Sequence, residues 1–302
     1  MKEERSFTSK ILLFGEYSVI KYSQALAIPY PLFEGRLKFK RSKSTLIDSE
    51  LKALGQFVKK CVEDEVLENF DENSLAFDIG QGLYFDSSIP QGFGVGSSGA
   101  LCAAIAERYS RVDLKTMEIP KLRELFALLE SHFHGSSSGF DPLVSYLNCP
   151  ILVDSKKDLK QVFIPEYETG ESCLFLLNTG RARRTEPLVN LFLEKCKSED
   201  FDKLCRGPLT EATHACIAAF LEGDQKSLFD QFRRLSEFQS SHMSAMIPKL
   251  FQDLWQLGLE SDDFALKLCG AGGGGFLLGI SRDFDAARKQ LAHHEIRPLF
   301  YF

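Results

Sequence analysis

A glycine- and serine-rich stretch with the residue types of an anion-binding turn lies between residues 90 and 100. It reads PQGFGVGSSGA and runs directly into the alanine-rich segment LCAAIAERY. Glycines let a backbone approach an anion closely, a serine caps the following helix, and the first amides of that helix point at the anion. The stretch predicts a phosphate-binding loop, although a surface turn with a serine cap is the alternative for the stretch alone. The candidate contacts are Gly92, Gly94, Gly96, Ser97, Ser98 and Gly99.

Two other stretches accompany this loop along the chain. Residues 8–19 read TSKILLFGEYSV, and residues 267–276 read KLCGAGGGGF. In this order and at these distances, the three stretches resemble the three signature motifs of the GHMP kinase superfamily, and the resemblance spans nearly the whole chain. It implies a kinase that uses ATP, with Gly272, Gly273 and Gly274 beside the ATP phosphates. The alternative, a flexible hairpin turn, would hardly need so many glycines, given their entropic cost.

A dinucleotide-binding fold is the first alternative, because both glycine loops match GxGxxG. That fingerprint requires a buried strand before the loop, a helix after it and an acidic residue about 20 positions later. The first loop follows the polar segment DSSIP, and the second leads into a predicted strand. Neither loop has the complete context, and a Walker A sequence is absent. A different kind of ATP site is therefore favoured.

A carboxylate cluster, ESHFHGSSSGFD, occupies residues 130–141. It resembles the mevalonate kinase segment in which a glutamate precedes HGxPSGxD, although Ser137 stands where proline is usual. Phosphoryl transfer needs a divalent ion across the phosphates and a group that orients or deprotonates the acceptor hydroxyl. The resemblance implies that Glu130 and a serine of the first glycine loop, Ser98 in preference to Ser97, hold Mg²⁺ and that Asp141 is the base. It also places Lys10 beside Asp141, where its charge favours the carboxylate and stabilises an incipient alkoxide.

Taken singly, these residues have simpler explanations. Lys10 would be a solvated lysine at a strand end, and Glu130 a charge on a helix surface. Their order together with both glycine loops favours the catalytic interpretation. The two histidines of the cluster, His132 and His134, lack the spacing and carboxylate partners of a metal centre, so we expect structural or supporting roles for them.

The acceptor is less constrained than the phosphoryl-transfer residues. Residues 178–185, NTGRARRT, resemble the mevalonate kinase stretch that opens the second domain, which implies that Thr185 and an arginine such as Arg184 contact the acceptor carboxylate. The arginines would equally suit a phosphorylated acceptor, so phosphomevalonate kinase is the alternative. Glu16 and Tyr17 are the further substrate-binding candidates. Tyr17 departs from the family pattern because mevalonate kinases usually carry histidine there.

Composition narrows the remaining classes. The chain has 302 residues and a formal net charge of −6, which argues against a general nucleic-acid binder. Apolar runs are too short to span a bilayer, and eight cysteines without a CxxC pair indicate reduced thiols in the cytoplasm. A non-catalytic ligand sensor is the alternative from another class, and the presence of Lys10, Glu130 and Asp141 disfavours it. The oligomeric state, a homodimer included, stays open.

The elements that position these residues alternate between strand and helix patterns. The resemblance implies an α+β fold with an ATP-binding N-terminal domain over residues 1–165, like ribosomal protein S5 domain 2, and a ferredoxin-like domain over residues 166–302. ATP and acceptor would bind in the cleft. Strands are predicted at 9–20, 32–40, 75–85, 172–178, 265–269 and 276–280, and helices at 51–63, 99–109, 119–133, 188–196, 209–221, 225–236 and 245–257.

Overall fold

The fold mixes helices and strands along the whole chain. A computed structural model describes residues 5–40, 48–154, 158–166, 170–182 and 186–302. The strands are β1 (Phe7–Phe14), β2 (Ala25–Phe39), β3 (Leu83–Ser87), β4 (Ile151–Val153), β5 (Leu159–Gln161), β6 (Cys173–Asn178), β7 (Ala265–Leu268), β8 (Phe276–Ser281) and β9 (Ile296–Tyr301). The α-helices are α1 (Ser49–Glu63), α2 (Glu72–Gly80), α3 (Ser97–Tyr109), α4 (Ile119–His134), α5 (Phe140–Leu147), α6 (Glu186–Lys195), α7 (Glu199–Leu204), α8 (Thr210–Glu222), α9 (Gln225–His242), α10 (Gln252–Ser261) and α11 (Phe284–Gln290).

The chain forms two compact units, each built from several separate segments. The first unit comprises residues 1–10, 29–90 and 96–149, and the second comprises 11–28, 91–95 and 150–302. The neighbouring strands β1 and β2 each contribute one part to each unit. No helix of the described residues is long and apolar enough to cross a membrane.

The first unit packs helices around α3. In β2, residues Gly35 to Phe39 pair antiparallel with β3, and α3, α4 and α5 contact one another. Helix α3 is buried almost all round, because small residues occupy most of its length and let its neighbours approach closely. A helix with so many buried faces forms the core of this unit.

The second unit contains an antiparallel sheet in the order β7-β8-β6-β9. Strand β6 is almost wholly buried and pairs with β8 from Cys173 opposite Ser281 to Asn178 opposite Phe276. Helices α8 and α9 contact each other, and α9 and α10 contact β7. In the same unit the start of β2 pairs with β4, which pairs with β5. Phe14 packs edge-on against Phe220 and Phe232, which extends the core to the end of β1.

Most predicted elements occur, but several differ from the sequence prediction. The strand predicted over 32–40 begins already at Ala25, and the helix predicted over 225–236 continues to His242. The predicted strand 75–85 is wrong for its first part, which is helix α2, because the Asp71 side chain accepts the Ser74 amide and starts a helix there. The strand predicted over 9–20 ends at Phe14. The helix predicted over 245–257 begins only at Gln252, after two short 3₁₀ turns. The division of the chain at residue 165 stays a prediction.

One close contact in the four-stranded sheet gives a stability test. A Cβ on Gly279 would lie 2.3 Å from Cζ of the buried Phe175 on the paired strand. We expect Gly279→Ala to lower the free energy of unfolding by about 1–3 kcal/mol, the usual cost of overpacking a core. Gly80→Ala is the control, because a Cβ there meets nothing within 4 Å. Chemical denaturation measures both, and equal stabilities for the two variants would contradict this packing.

Candidate active site

Lys10 and Asp141 form the central ion pair of the first unit. Lys10 lies on β1, and its Nζ is 2.9 Å from Oδ2 of Asp141 in the first turn of α5. The lysine side chain is 7% exposed and the aspartate side chain 33% exposed. The helix N-terminus adds partial positive charge near the carboxylate. The Asp141 side chain is therefore held next to a buried cation while part of it still faces solvent.

Two glycines at the start of α3 set the distances around this pair. Gly96, with φ of 81°, precedes the helix, and a Cβ there would lie 2.9 Å from Cγ of Lys10. A Cβ on Gly99 would lie 2.9 Å from the backbone carbon of Asp141. The expected serine cap is wrong: Gly96 is the N-cap residue, and no side chain in the described part of the chain caps α3. Ser97 and Ser98 instead form its first turn, where amides lack helical partners.

Glu130 is a buried carboxylate held by two serines. It lies on α4, is 5% exposed and accepts a hydrogen bond from Ser98 Oγ at 3.3 Å. Ser137, the residue in the usual proline position, donates a second hydrogen bond to the other carboxylate oxygen. Ser137 Oγ also accepts the Gly139 amide at 2.9 Å and so orders the turn before α5. His134 Nε2 lies 3.2 Å from Ser98 Oγ, and a supporting role for this histidine stays a prediction.

Burial dominates the electrostatics of Glu130. It raises the pKa of the Glu130 carboxyl from 4.5 to about 7, with the negative charge of Asp141 as the next cause. The hydrogen bonds from Ser137 and Ser98 and the charge of Lys10 act in the opposite direction. His132 packs against Phe57, and burial lowers its pKa. A cation bound at Glu130 would offset the cost of its buried charge.

The donor set of this unit fits Mg²⁺ better than a transition metal. Among the described residues, no three His, Cys, Asp or Glu side chains cluster as a metal site. Mg²⁺ in kinases is typically held by one or two carboxylates together with substrate phosphates, so one buried carboxylate beside a hydroxyl suffices. Glu130 and Ser98 supply that pair.

The first-motif residue Glu16 belongs to a buried network in the second unit. Its carboxylate is 2.8 Å from Nζ of Lys267, and Gln239 donates to it at 2.6 Å. Lys267 is fully buried and also donates to the carbonyls of Leu13 and Leu268. Removing one partner of such a pair would leave an uncompensated buried charge. The predicted role of Glu16 as a substrate contact stays a prediction.

Tyr17 is held in an unusual backbone conformation next to Glu16. Its φ is 63° and its ψ is −52°, a region that non-glycine residues rarely occupy and that costs about 1–3 kcal/mol. The ring packs on Phe192 with centroids 4.9 Å apart, and the buried hydroxyl donates to the carbonyl of Ala271. The surrounding contacts therefore over-determine the position of this side chain.

The second glycine loop lies in the same unit. Gly272, Gly273 and Gly275 have φ between 71° and 75°, and Gly273 is exposed. A Cβ on Gly275 would lie 2.3 Å from the carbonyl of Phe93, so residues 91–95 of the first glycine loop run against the second loop. Gly92 and Gly94 flank Phe93 with positive φ.

The structure thus groups the predicted residues in two sets. The first unit brings together Lys10, Gly96, Ser98, Gly99, Glu130 and Asp141, with Ser97 beside them on α3; the second holds Glu16, Tyr17, Gly92, Gly94, Gly272, Gly273 and Gly274. Arg184 and Thr185 lie outside the described residues. Sequence reasoning missed Ser137, Gln239 and Lys267, for which the only signals were a serine in a proline position and a lysine at the start of the third motif.

Comparison with known families and proteins identifies sequences to which the chain is similar. Residues 56–148 match the family of GHMP kinases N terminal domain. Over these residues the chain is similar to the GHMP kinases. Among GHMP kinases it is similar to the mevalonate kinase of Archaeoglobus fulgidus, with 25% identity over 284 residues and 91% of each chain covered. It is also 25% identical to the mevalonate kinase of Thermococcus sibiricus, covering 93% of this chain and 90% of that one.

Solved GHMP kinase structures share the fold. The mevalonate kinase of L. major in complex with R-mevalonate superposes with a TM-score of 0.68 at 16% identity, covering 99% of this chain and 95% of that chain. The phosphomevalonate kinase of Streptococcus pneumoniae, in complex with phosphomevalonate and AMPPNP, gives 0.67 at 15% identity over 98% of this chain and 100% of that chain. The predicted GHMP kinase fold is confirmed.

The raised pKa of Glu130 predicts how stability depends on pH. The folded protein binds this proton more tightly than the unfolded chain, so the contribution of Glu130 to stability falls as the pH rises from 4.5 to about 7. The Glu130→Gln variant has no carboxyl to ionise at this position, so it does not lose stability in this way. Without Mg²⁺, the melting temperature of the variant minus that of the wild type should increase over that range and level off above it.

Thermal unfolding in EDTA across the pH range measures this difference. Glu124→Gln, an exposed carboxyl on the same helix, is the control and should follow the wild type at every pH. A constant difference between Glu130→Gln and the wild type would contradict the shifted pKa.

Proposed function

We propose that this chain transfers the γ-phosphoryl group of ATP to the primary hydroxyl of mevalonate, giving 5-phosphomevalonate and ADP. The observation that carries the proposal is the 2.9 Å pair between Lys10 and Asp141, with the buried Glu130 as the next carboxylate of the same unit. Relatives along more than nine-tenths of the chain are named mevalonate kinase, which supports this acceptor. The product belongs to isoprenoid precursor synthesis.

Asp141 is the proposed general base. It accepts the proton of the acceptor hydroxyl as the oxygen attacks the γ-phosphorus, and it is exposed enough to be reached. Lys10 lies 2.9 Å from this carboxylate and stabilises the negative charge that develops on the attacking oxygen. Its burial fixes the ammonium in place, so little reorganisation accompanies the transfer.

Glu130 and Ser98 are the proposed holders of Mg²⁺, and their fit is the buried carboxylate with a hydroxyl 3.3 Å away. An ion held there would supply charge neutralisation for the ATP phosphates. Ser137 keeps one oxygen of Glu130 oriented, while His134 orients the Ser98 hydroxyl. The uncapped start of α3 and the glycine loop of residues 270–275 are proposed contacts of the ATP phosphates.

The acceptor end of the proposal rests on the resemblance. Arg184 and Thr185 are proposed to contact the acceptor carboxylate, since a guanidinium offers a planar fork to such a group. Phosphomevalonate or another small acceptor is the alternative. A cytoplasmic location and a homodimer are proposed in addition, and the eight cysteines, all free and mostly buried, suit a reducing compartment.

An acceptor panel tests the substrate. Purified protein with Mg-ATP is offered mevalonate, phosphomevalonate, homoserine and galactose in parallel, and ADP release is measured. We expect turnover on mevalonate alone. Turnover on phosphomevalonate alone would assign the acceptor phosphate to the arginines, and silence on all four with ATP bound would reject every acceptor in the panel.

Asp141→Asn tests the base. The amide keeps the size of the side chain but accepts no proton, so kcat should fall by about 10² or more while ATP affinity changes little. Asp86→Asn is the matched control, because it breaks another lysine–aspartate pair of the same unit, to Lys38, on the surface. Near-wild-type turnover by Asp141→Asn would remove this mechanism.

A further inference from the structure

The second glycine loop cannot fix its own shape. Residues 270–275 contain five glycines and one Cβ, that of Ala271, so the loop has almost no side chains with which to pack. Glycine loses more conformational freedom on ordering than other residues do. A loop whose amides must point at phosphates therefore depends on groups outside it.

Backbone and side-chain hydrogen bonds anchor the later half of this loop. The amide of Gly273 donates to the carbonyl of Met246 at 2.6 Å, and the amide of Gly275 donates to that of Arg181 at 2.7 Å. Thr179 Oγ1 donates to the carbonyl of Gly275 at 2.7 Å. These three anchors act on Gly273 and Gly275, beyond Ala271.

Glu16 and Tyr17 hold the earlier half from two adjacent positions. Glu16 forms an ion pair with Lys267. The Lys267 ammonium also donates a hydrogen bond to the carbonyl of Leu268 at 2.7 Å, which fixes the end of the strand before the loop. The phenol hydroxyl of Tyr17 donates a hydrogen bond to the carbonyl of Ala271 inside the loop. Its ring cannot swing away without losing the packing on Phe192.

We propose that Tyr17 is a positioning residue for the ATP-binding glycine loop, and that its hydroxyl serves nucleotide binding instead of contacting the acceptor. The hydroxyl that stands where related kinases carry histidine is already donated to Ala271. A hydroxyl has one proton to donate, so the same proton is not available to an acceptor carboxylate. This inference rests on the proposed function in one respect, the assignment of residues 270–275 to the ATP phosphates.

Tyr17→Phe removes the hydroxyl and keeps the ring. Loss of one net hydrogen bond corresponds to about a three- to tenfold change in an equilibrium constant. We expect the Kd of AMPPNP and the KM for ATP to rise by about that factor, with the KM for mevalonate unchanged. Tyr22→Phe is the matched control, because the Tyr22 hydroxyl donates to Asp202 and not to the loop; it should leave all three constants unchanged.

AMPPNP affinity is measured by calorimetry without any acceptor, which separates this inference from the proposed function. Wild-type protein that binds AMPPNP but does not phosphorylate mevalonate would overturn the proposed function alone. A raised KM for mevalonate with unchanged AMPPNP affinity in Tyr17→Phe would overturn the inference, and so would no change in any constant. Circular dichroism and the melting temperature verify that both variants are folded.

Discussion

The absence of a side chain at two positions of one helix start governs the geometry of the candidate active site. Gly96 and Gly99 let α3 lie directly against Lys10 and against the backbone of Asp141. A methyl group at either position would require the lysine or the start of α5 to move. The 2.9 Å ion pair therefore depends on glycine at both positions. The close packing of α3 and the geometry of the ion pair therefore require the same two glycines.

Glu130 shows how the same unit manages a buried charge. Desolvation and Asp141 act against ionisation, and three groups, the hydroxyls of Ser137 and Ser98 and the ammonium of Lys10, act for it. The balance raises the pKa of this carboxyl, so its ionised form is stabilised when a cation binds beside it. Asp141, half a turn into its own helix and partly exposed, has a different environment. Two neighbouring carboxylates thus suit two tasks.

The sequence predicted the fold family. It also pointed to most of the candidate site residues that the first unit brings together, because those residues occur in short motifs with fixed spacing. It also predicted most helices, since their apolar periodicity is strong. It failed at residues 75–80, where an Asp71 cap outweighs strand-like composition. It gave no indication that Lys267 and Gln239 would meet Glu16, because these contacts join residues more than 200 positions apart. Nor did the replacement of histidine by Tyr17 indicate where the phenol would donate.

The interleaving of the two units along the chain has a consequence for biosynthesis. Residues 11–28, with the apolar end of β1, belong to a unit whose remaining segments lie at 91–95 and 150–302. All segments of the first unit are present once Cys149 has been synthesised. Ile11, Leu13 and Phe14 are buried in the second unit, whose remaining strands and helices are synthesised last. During translation these apolar side chains are made early and buried late. The nascent chain therefore exposes these apolar side chains until the second unit has been synthesised.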